Sequence, residues 1–388
     1  MKPIPYGKQE IVDEDIRAVV EALRAPLLTQ GPRVAEFEKG IADAVGAGWA
    51  VAFNSGTSAL HAAYFAAGVE EGNSVLTSPI TFVATANSSL YLNGGVHFAD
   101  VKDDVPLLDP QSVTAIKAKG IRVLAPVHLC GHVCDMEGLS SIARERGWLI
   151  VEDAAHALGA RYRTGNGDEF RVGACAHSDL CCFSFHPVKH ITTGEGGAVT
   201  TNSEALYEKL KRFRSHGITR DERLLTKNDG PWYYEQHELG FNYRITDFQC
   251  ALGTSQLTRL SQYVERRREI ARQYDQAFAS VPDIRPVLAP HVSRSSYHLY
   301  VIRVSAQKRL QLVERLRASG IEVNVHYIPV YHQPFYRQRG FAGYHLPNSE
   351  QYYSEAVSLP MYPSLSNEQV DFVIAEVSRQ LIEISVTA

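Results

Sequence analysis

The stretch Trp148-Leu149-Ile150-Val151-Glu152-Asp153-Ala154-Ala155-His156 decides the fold. An apolar run drives into two carboxylates and then into small residues, the pattern of a buried strand that ends in a loop. Strands of this kind belong to helix-covered sheets, and in open sheets of that type ligands gather at the carboxyl ends of the strands. Asp153 therefore stands where a functional acid is expected. Read alone, it serves equally well as the cap of a following helix.

Working outward, short apolar runs alternate with amphipathic ones over the first two thirds of the chain, the rhythm of a mostly parallel sheet. The pattern predicts strands over residues 49–53, 74–77, 96–99, 123–127, 148–151 and 180–184, with helices over 58–67, 81–91, 109–118 and 136–146. Asp109-Pro110 supports the third helix, because proline at the first helical position lacks only an amide that would be unpaired there. From Leu252 the pattern predicts one long charged helix through Phe278, with Arg266-Arg267-Arg268 on a solvated face. Beyond it come a strand over 299–304, a helix over 307–319 ended by Gly320, a strand over 322–325 and a closing helix from Asn367. The expected class is α/β: a large domain, residues 1–251, with a mostly parallel sheet and an N-terminal arm, then a smaller α+β domain, residues 252–388. There is no internal repeat and no low-complexity tract.

Lys+Arg 39 against Asp+Glu 43 leave a net charge of -4, so no global field draws the chain to nucleic acid or to an anionic membrane. Apolar runs such as Trp49–Phe53 are far shorter than the ~20 residues that cross a bilayer. The start, Met1 to Lys8, lacks the pattern of a secretory leader. Six cysteines in 388 residues do not form a dense disulfide framework. A cytoplasmic chain with reduced thiols is expected.

Downstream, Phe183-Ser184-Phe185-His186-Pro187-Val188-Lys189-His190, with Lys189 thirty-six residues after Asp153, leads into Ile191-Thr192-Thr193-Gly194-Glu195-Gly196-Gly197. A lysine among aromatic and glycine-rich backbone is partly desolvated, which lowers its pKa and makes the amine a better nucleophile toward an aldehyde. The separation leaves room for one crossing and return, so acid and amine can converge on a planar ligand. Asn54-Ser55-Gly56-Thr57-Ser58, between a strand and a helix, presents free amides and hydroxyls to a phosphate; in isolation it reads equally as a cap. No Gly-Lys-Ser/Thr follows, so it is not a Walker loop, and Gly165-Asn166-Gly167-Asp168 reads as a hairpin turn. His128-Leu129-Cys130-Gly131-His132-Val133-Cys134-Asp135 spaces four possible metal ligands by two. On an extended strand they would share a face, but zinc sites combine ligands from separate elements, and no metal is expected.

These segments, with Pro79-Ile80-Thr81-Phe82-Val83-Ala84-Thr85 and Leu239-Gly240-Phe241-Asn242-Tyr243-Arg244, resemble the sugar aminotransferases of the DegT/DnrJ/EryC1/StrS family, fold type I pyridoxal-phosphate enzymes. The similarity spans essentially the whole chain. It implies that Lys189 bonds to pyridoxal 5'-phosphate and moves the proton, and that Asp153 keeps the pyridine nitrogen protonated. Phe82 would stack on the ring, His156 would lie near the ring and its oxygen, and Gly56, Thr57, Ser58 and Ser184 would form the phosphate cup. Asn242 would reach the phosphate from a neighbouring subunit, making the site a property of a homodimer. Tyr6, Thr29, His326, Tyr327 and Arg244 would border the nucleotide-sugar pocket. Tyr6 and Tyr327 also read as packing residues, and Arg244 as a partner of Asp247.

Within the family, Leu28-Thr29-Gln30-Gly31, Ser184-Phe185-His186, Phe213-Arg214-Ser215-His216-Gly217 and Val325-His326-Tyr327 are similar to the pseudaminic-acid branch. That likeness implies UDP-2-acetamido-2,6-dideoxy-beta-L-arabino-hexos-4-ulose as acceptor and L-glutamate as amino donor. Other 4-keto sugar nucleotides, of the bacillosamine, perosamine or 4-amino-arabinose type, are the near alternatives. A non-catalytic cofactor-binding regulatory subunit is the alternative of another class, disfavoured because Lys189, Asp153 and the phosphate turn are all kept. A sugar dehydrase is disfavoured because such relatives replace the lysine.

Overall fold

The computed structural model describes residues 3–387; Met1, Lys2 and Ala388, at the limits of the two expected domains, lie outside them. A seven-stranded sheet runs in the order Trp49–Phe53, Gly197–Thr201, Leu180–Ser184, Leu149–Asp153, Ile121–Ala125, Ser74–Thr77, Gly95–Phe98. Gly197–Thr201, which the apolar pattern did not mark, is antiparallel to both neighbours, and the other adjacent pairs are parallel. Val51, Val75, Val123, Val151 and Cys182 enter one apolar cluster. Their neighbours Ala52, Leu76, Leu124, Ile150 and Cys181 enter another. That period of two places a core on each face of the sheet, as a helix-covered sheet requires. Each such Val or Leu contributes about 1.5–3 kcal/mol by leaving water.

The crossover helices differ from expectation mostly at their ends. Gly56–Ala66 starts two residues early because the Ser55 hydroxyl accepts from Ser58 N. Pro110–Ala115 keeps its Asp109 cap, whose carboxylate accepts from Gln111 N, but stops three residues short. The Arg146 guanidinium donates to the carbonyls of Thr114 and Ile116 and occupies the helix end. Ala84–Leu90 begins after Thr81-Phe82-Val83, an open turn in which the Thr81 and Thr85 hydroxyls lie 2.7 Å apart. Two N-terminal helices, Asp13–Arg24 and Pro32–Val45, precede the first strand.

The long charged helix is two. Asp247–Leu257 starts at a Thr246 capping box with Gln249, and Leu260–Phe278 follows a break at Thr258 and Arg259. There the Thr258 hydroxyl bonds the Ser255 carbonyl, and Arg259 is drawn to Asp15 and to Tyr263 Oη at 3.0 Å. The basic triplet is not a solvated face: Arg267 is 0% exposed. The span 322–325 forms no strand; only Asn324 makes a bridge, to Ser358. Antiparallel strands Arg285–Pro286, Tyr300–Arg303 and Ala356–Leu359 build a second sheet. Helices Ala306–Ala318, ended by Gly320 at φ +79°, and Asn367–Thr387 accompany it around a second core that includes Tyr274, Ile302, Leu316 and Val373. Ile4 of the N-terminal arm joins this core and bonds Gly320 and Glu322 through its backbone. The residues 165–168 close a hairpin between Arg161–Arg163 and Glu169–Arg171. Among the described residues no helix is long and apolar enough to cross a membrane.

Candidate active site

At the carboxyl ends of the central strands a cavity of about 690 Å³ opens, walled on its far side by Asn324 to Ile328 and by His298. Asp153 ends its strand at the floor, 5% exposed. Its Oδ2 accepts from the Thr85 hydroxyl at 2.6 Å and its Oδ1 from the Ala155 amide at 3.1 Å. Two donors fix the carboxylate in one orientation. Thr85, fully buried on the crossover helix, is a residue that sequence reasoning missed, although it ends the quoted Pro79–Thr85 segment.

Lys189 follows the strand Leu180–Ser184 and lines the same cavity. Its pKa is lowered to about 7: burial drives it down, Asp153 pulls it up, and the Arg267 guanidinium lowers it further. Four histidines surround the region. His156 lies buried beside the cavity, its Nε2 3.3 Å from Tyr327 Oη and its Nδ1 without a partner among the described residues. Burial first, then the charge on Lys189, holds its pKa well below the ordinary value. His298, 4% exposed, sits with its ring centroid 4.3 Å from that of His156 and its Nε2 3.5 Å from Lys189 Nζ. His190 bonds the Ser296 carbonyl, and His326 Nδ1 lies 2.7 Å from Ser358 Oγ. Burial brings His326 down to about 4, with Lys189 adding to the effect.

Gly56 and Thr57, in the first turn of the helix Gly56–Ala66, reach the cavity with Ser55 and Ser184. A Cβ on Gly56 would come within 2.9 Å of Ser184 Cβ, so only glycine lets the helix start approach the end of the strand this closely. Ser58 is placed differently from its neighbours. Its hydroxyl donates to Asn54 Oδ1 and is engaged with Ser55, so it holds the turn together and is absent from the cavity lining. Ser55, not singled out from the sequence, takes that place.

Phe82 presents its ring to the cavity at 58% exposure, beside Tyr327 at 6.2 Å between centroids. Tyr6, His326 and Tyr327 also line the cavity. Thr29, Asn242 and Arg244 do not: Thr29 is exposed and bridges Thr246, and Asn242 is exposed and bridges Ser215. Asp247 is no partner for Arg244, because its carboxylate accepts the amides of Gly31 and Arg33. The His128–Asp135 run is not extended; it turns at Leu129–Gly131 with Cys130 at φ +62°. Cys134 N donates to His128 Nδ1, so Nε2 carries the hydrogen given to Glu152 at 2.6 Å. His132 bonds Ser295 and the Val287 carbonyl.

The cavity thus joins a free-amide turn, a fixed carboxylate, a desolvated amine, an uncovered aromatic ring and a buried imidazole nitrogen lacking a partner. These features suit a flat, phosphate-bearing heteroaromatic aldehyde, so the residues present fit pyridoxal 5'-phosphate. A model of the DegT/DnrJ/EryC1/StrS aminotransferase family matches residues 9–378, and the chain belongs to that family of pyridoxal-phosphate enzymes. It is 38% identical over 376 residues to the UDP-4-amino-4,6-dideoxy-N-acetyl-beta-L-altrosamine transaminase of Campylobacter jejuni, covering 95% of each chain. It is 37% identical over 380 residues to the spore coat polysaccharide biosynthesis protein SpsC of Bacillus subtilis, covering 96% of each. Among solved structures, Helicobacter pylori PseC, an aminotransferase involved in the biosynthesis of pseudoaminic acid, superposes with a TM-score of 0.90 at 32% identity. That match covers 98% of this chain and 100% of the other. A putative sugar aminotransferase of Streptococcus pneumoniae in its PMP form gives 0.89 at 27% identity, with the same coverage.

Proposed function

We propose that this aminotransferase moves the amino group of L-glutamate to C4 of UDP-2-acetamido-2,6-dideoxy-beta-L-arabino-hexos-4-ulose, in pseudaminic-acid biosynthesis. The observation that carries the reading is one cavity that unites Lys189, Asp153 and His156 with Tyr6, His326 and Tyr327. The names borne by full-length relatives support the sugar. When bound, pyridoxal 5'-phosphate supplies an aldehyde to carry the nitrogen and a ring to accept the electron pair released at the reacting carbon.

The residues supply the rest. Asp153, held by Thr85 and Ala155, keeps the ring nitrogen protonated. Lys189 anchors the cofactor, and once free it carries the proton; a pKa of about 7 leaves much of the amine neutral and nucleophilic near neutrality. Phe82 covers a ring face against water, and the unpartnered Nδ1 of His156 serves the ring oxygen. Gly56, Thr57 and Ser184 receive the phosphate, with Ser58 bracing their turn.

The protein works as a cytoplasmic homodimer. Asn242 and Arg244, outside the cavity of their own chain, and Thr29 serve the partner's site. The division into residues 1–251 and 252–388 belongs to the same reading, supported by the second core around Tyr274 and Val373.

Mass spectrometry of the products formed from glutamate and a panel of UDP-, GDP- and dTDP-linked 4-keto-6-deoxy sugars tests the substrate. The UDP-linked acetamido sugar is expected to be aminated fastest. Preference for a GDP- or dTDP-sugar overturns that choice. A cofactor spectrum unchanged by glutamate points instead to a binding subunit.

A further inference from the structure

His298 is absent from the roles assigned above, yet it is the side chain that meets the Lys189 amine. Its Nε2 lies 3.5 Å from Lys189 Nζ. Its Nδ1 finds no hydrogen-bonding group among the described residues, so Nε2 is the polar end on which the buried ring relies. A histidine that only filled space would satisfy its nitrogens on nearby backbone, as His190 does on the Ser296 carbonyl. Arg267 makes the arrangement rigid. Its buried guanidinium donates to the carbonyls of His298 and Val188, the latter adjacent to Lys189, and to those of Tyr297 and Met361. One side chain thus ties together the two backbone segments whose side chains meet in the cavity.

We propose that His298 is a positioning residue that receives the Lys189 amine whenever that amine is not bonded to the cofactor, holding it at the reacting carbon between proton transfers. The step is a hydrogen bond only: an N–H of Lys189 donates to Nε2, and no covalent bond changes. The proposal rests on the assignment of Lys189 as the proton carrier.

The other groups facing Lys189 fix the expected sign. Asp153 favours the charged amine; Arg267 disfavours it, and His156, His190, His298 and His326 are held neutral by burial. A neutral imidazole that accepts from the ammonium also favours the charged form. Removing it moves the Lys189 pKa further down.

The test compares His298→Leu with His298→Gln, whose amide oxygen can still accept. In the cofactor-free full-length chain, acetic anhydride labelling of Lys189 across pH is read by peptide mass spectrometry. In the holoenzyme, kcat and KM are measured. For His298→Leu the labelling midpoint is expected to fall by about one pH unit, and kcat by about 10- to 100-fold at unchanged KM. His298→Gln is expected to restore both readouts.

A midpoint that stays or rises in His298→Leu overturns the proposal, as does a His298→Gln variant as impaired as His298→Leu, which would mark a packing role. Should His298→Leu fail to fold, judged by near-ultraviolet circular dichroism, the glutamine variant decides alone: wild-type labelling and kcat support the proposal, and loss of either overturns it. If wild-type holoenzyme does not exchange nitrogen with glutamate, the failure lies in the proposed reaction. A wild type that does exchange, with an unaltered leucine variant, indicts His298 alone.

Discussion

Glu152 and Asp153 are consecutive carboxylates on one strand, and they live in different worlds. Alternation along the strand turns Glu152 into the core, where the His128 imidazole donates to Oε2 at 2.6 Å and the Ser178 hydroxyl to Oε1. Asp153 turns toward the cavity, held by one hydroxyl and one amide. Both are buried, at 3% and 5% exposed, so burial does not separate the structural acid from the functional one. What separates them is the partner: Glu152 meets side chains of its own core, and Asp153 faces space sized for a ligand.

The sharpest way to break that comparison is to remove each carboxylate in turn. Asp153→Asn is expected to lower kcat by on the order of 10²–10³-fold, through loss of the charge that stabilises electron flow into the ring. Its thermal midpoint should move little, because the amide oxygen can still accept from the Ala155 N–H while the amide NH2 donates to the Thr85 hydroxyl oxygen. Glu152→Ala should do the reverse. It leaves His128 buried with an unpaired N–H and costs about 3 kcal/mol in a denaturant titration, while kcat per folded molecule stays near wild type. Equal loss of activity in both variants would erase the distinction.

A smaller effect tests how Asp153 is aimed. Thr85→Val keeps the shape and deletes the hydroxyl that donates at 2.6 Å. Steady-state assays should show kcat down about tenfold, with KM for the sugar unchanged, because the carboxylate gains freedom without losing its charge.

The sequence carried the sheet well because its strands are apolar on both faces and short. Six of the seven were legible to within two residues, and Gly197–Thr201 was not, since Gly-Ala-Val-Thr-Thr has too little apolar mass to stand out. The helix break at Thr258 and Arg259 was hidden because both residues are tolerated in helices, and the cause, Asp15, lies far away in sequence. Arg267 was misread for a similar reason. Composition places arginine triplets on the surface, and only the converging carbonyls of Tyr297, His298 and Met361 make burial affordable. In the site, Asp153, Lys189 and the turn at Gly56 each read two ways alone, and together with Phe82 they were readable only as the ordered motifs of a family. Thr85 and His298 were not, since a threonine on a helix and a histidine beside a strand announce nothing until the chain brings them to Asp153 and Lys189.

The smallest predicted effect is one of stability, and its sign differs from that of Glu152→Ala. Lys189 has a folded-state pKa of about 7, below the ordinary lysine value of 10.5 that it regains on unfolding. Between those two values the unfolded chain binds more protons, so stability rises with pH. The penalty of enclosing the ammonium is fully present below pH 7 and fades as pH climbs toward 10.5. In cofactor-free protein, Lys189→Met, which keeps the bulk and drops the charge, should therefore melt about 2 °C higher than wild type at pH 6. At pH 10.5 the two should converge. A methionine variant that melts lower than wild type at pH 6 would mean that the pull of Asp153 outweighs burial, and that the amine is at rest in its pocket. The expected rise instead makes the cavity a place where the fold tolerates a poorly solvated charge because the chemistry uses it, one residue away from Glu152, whose carboxylate the core admits only with His128 and Ser178 bonded to it.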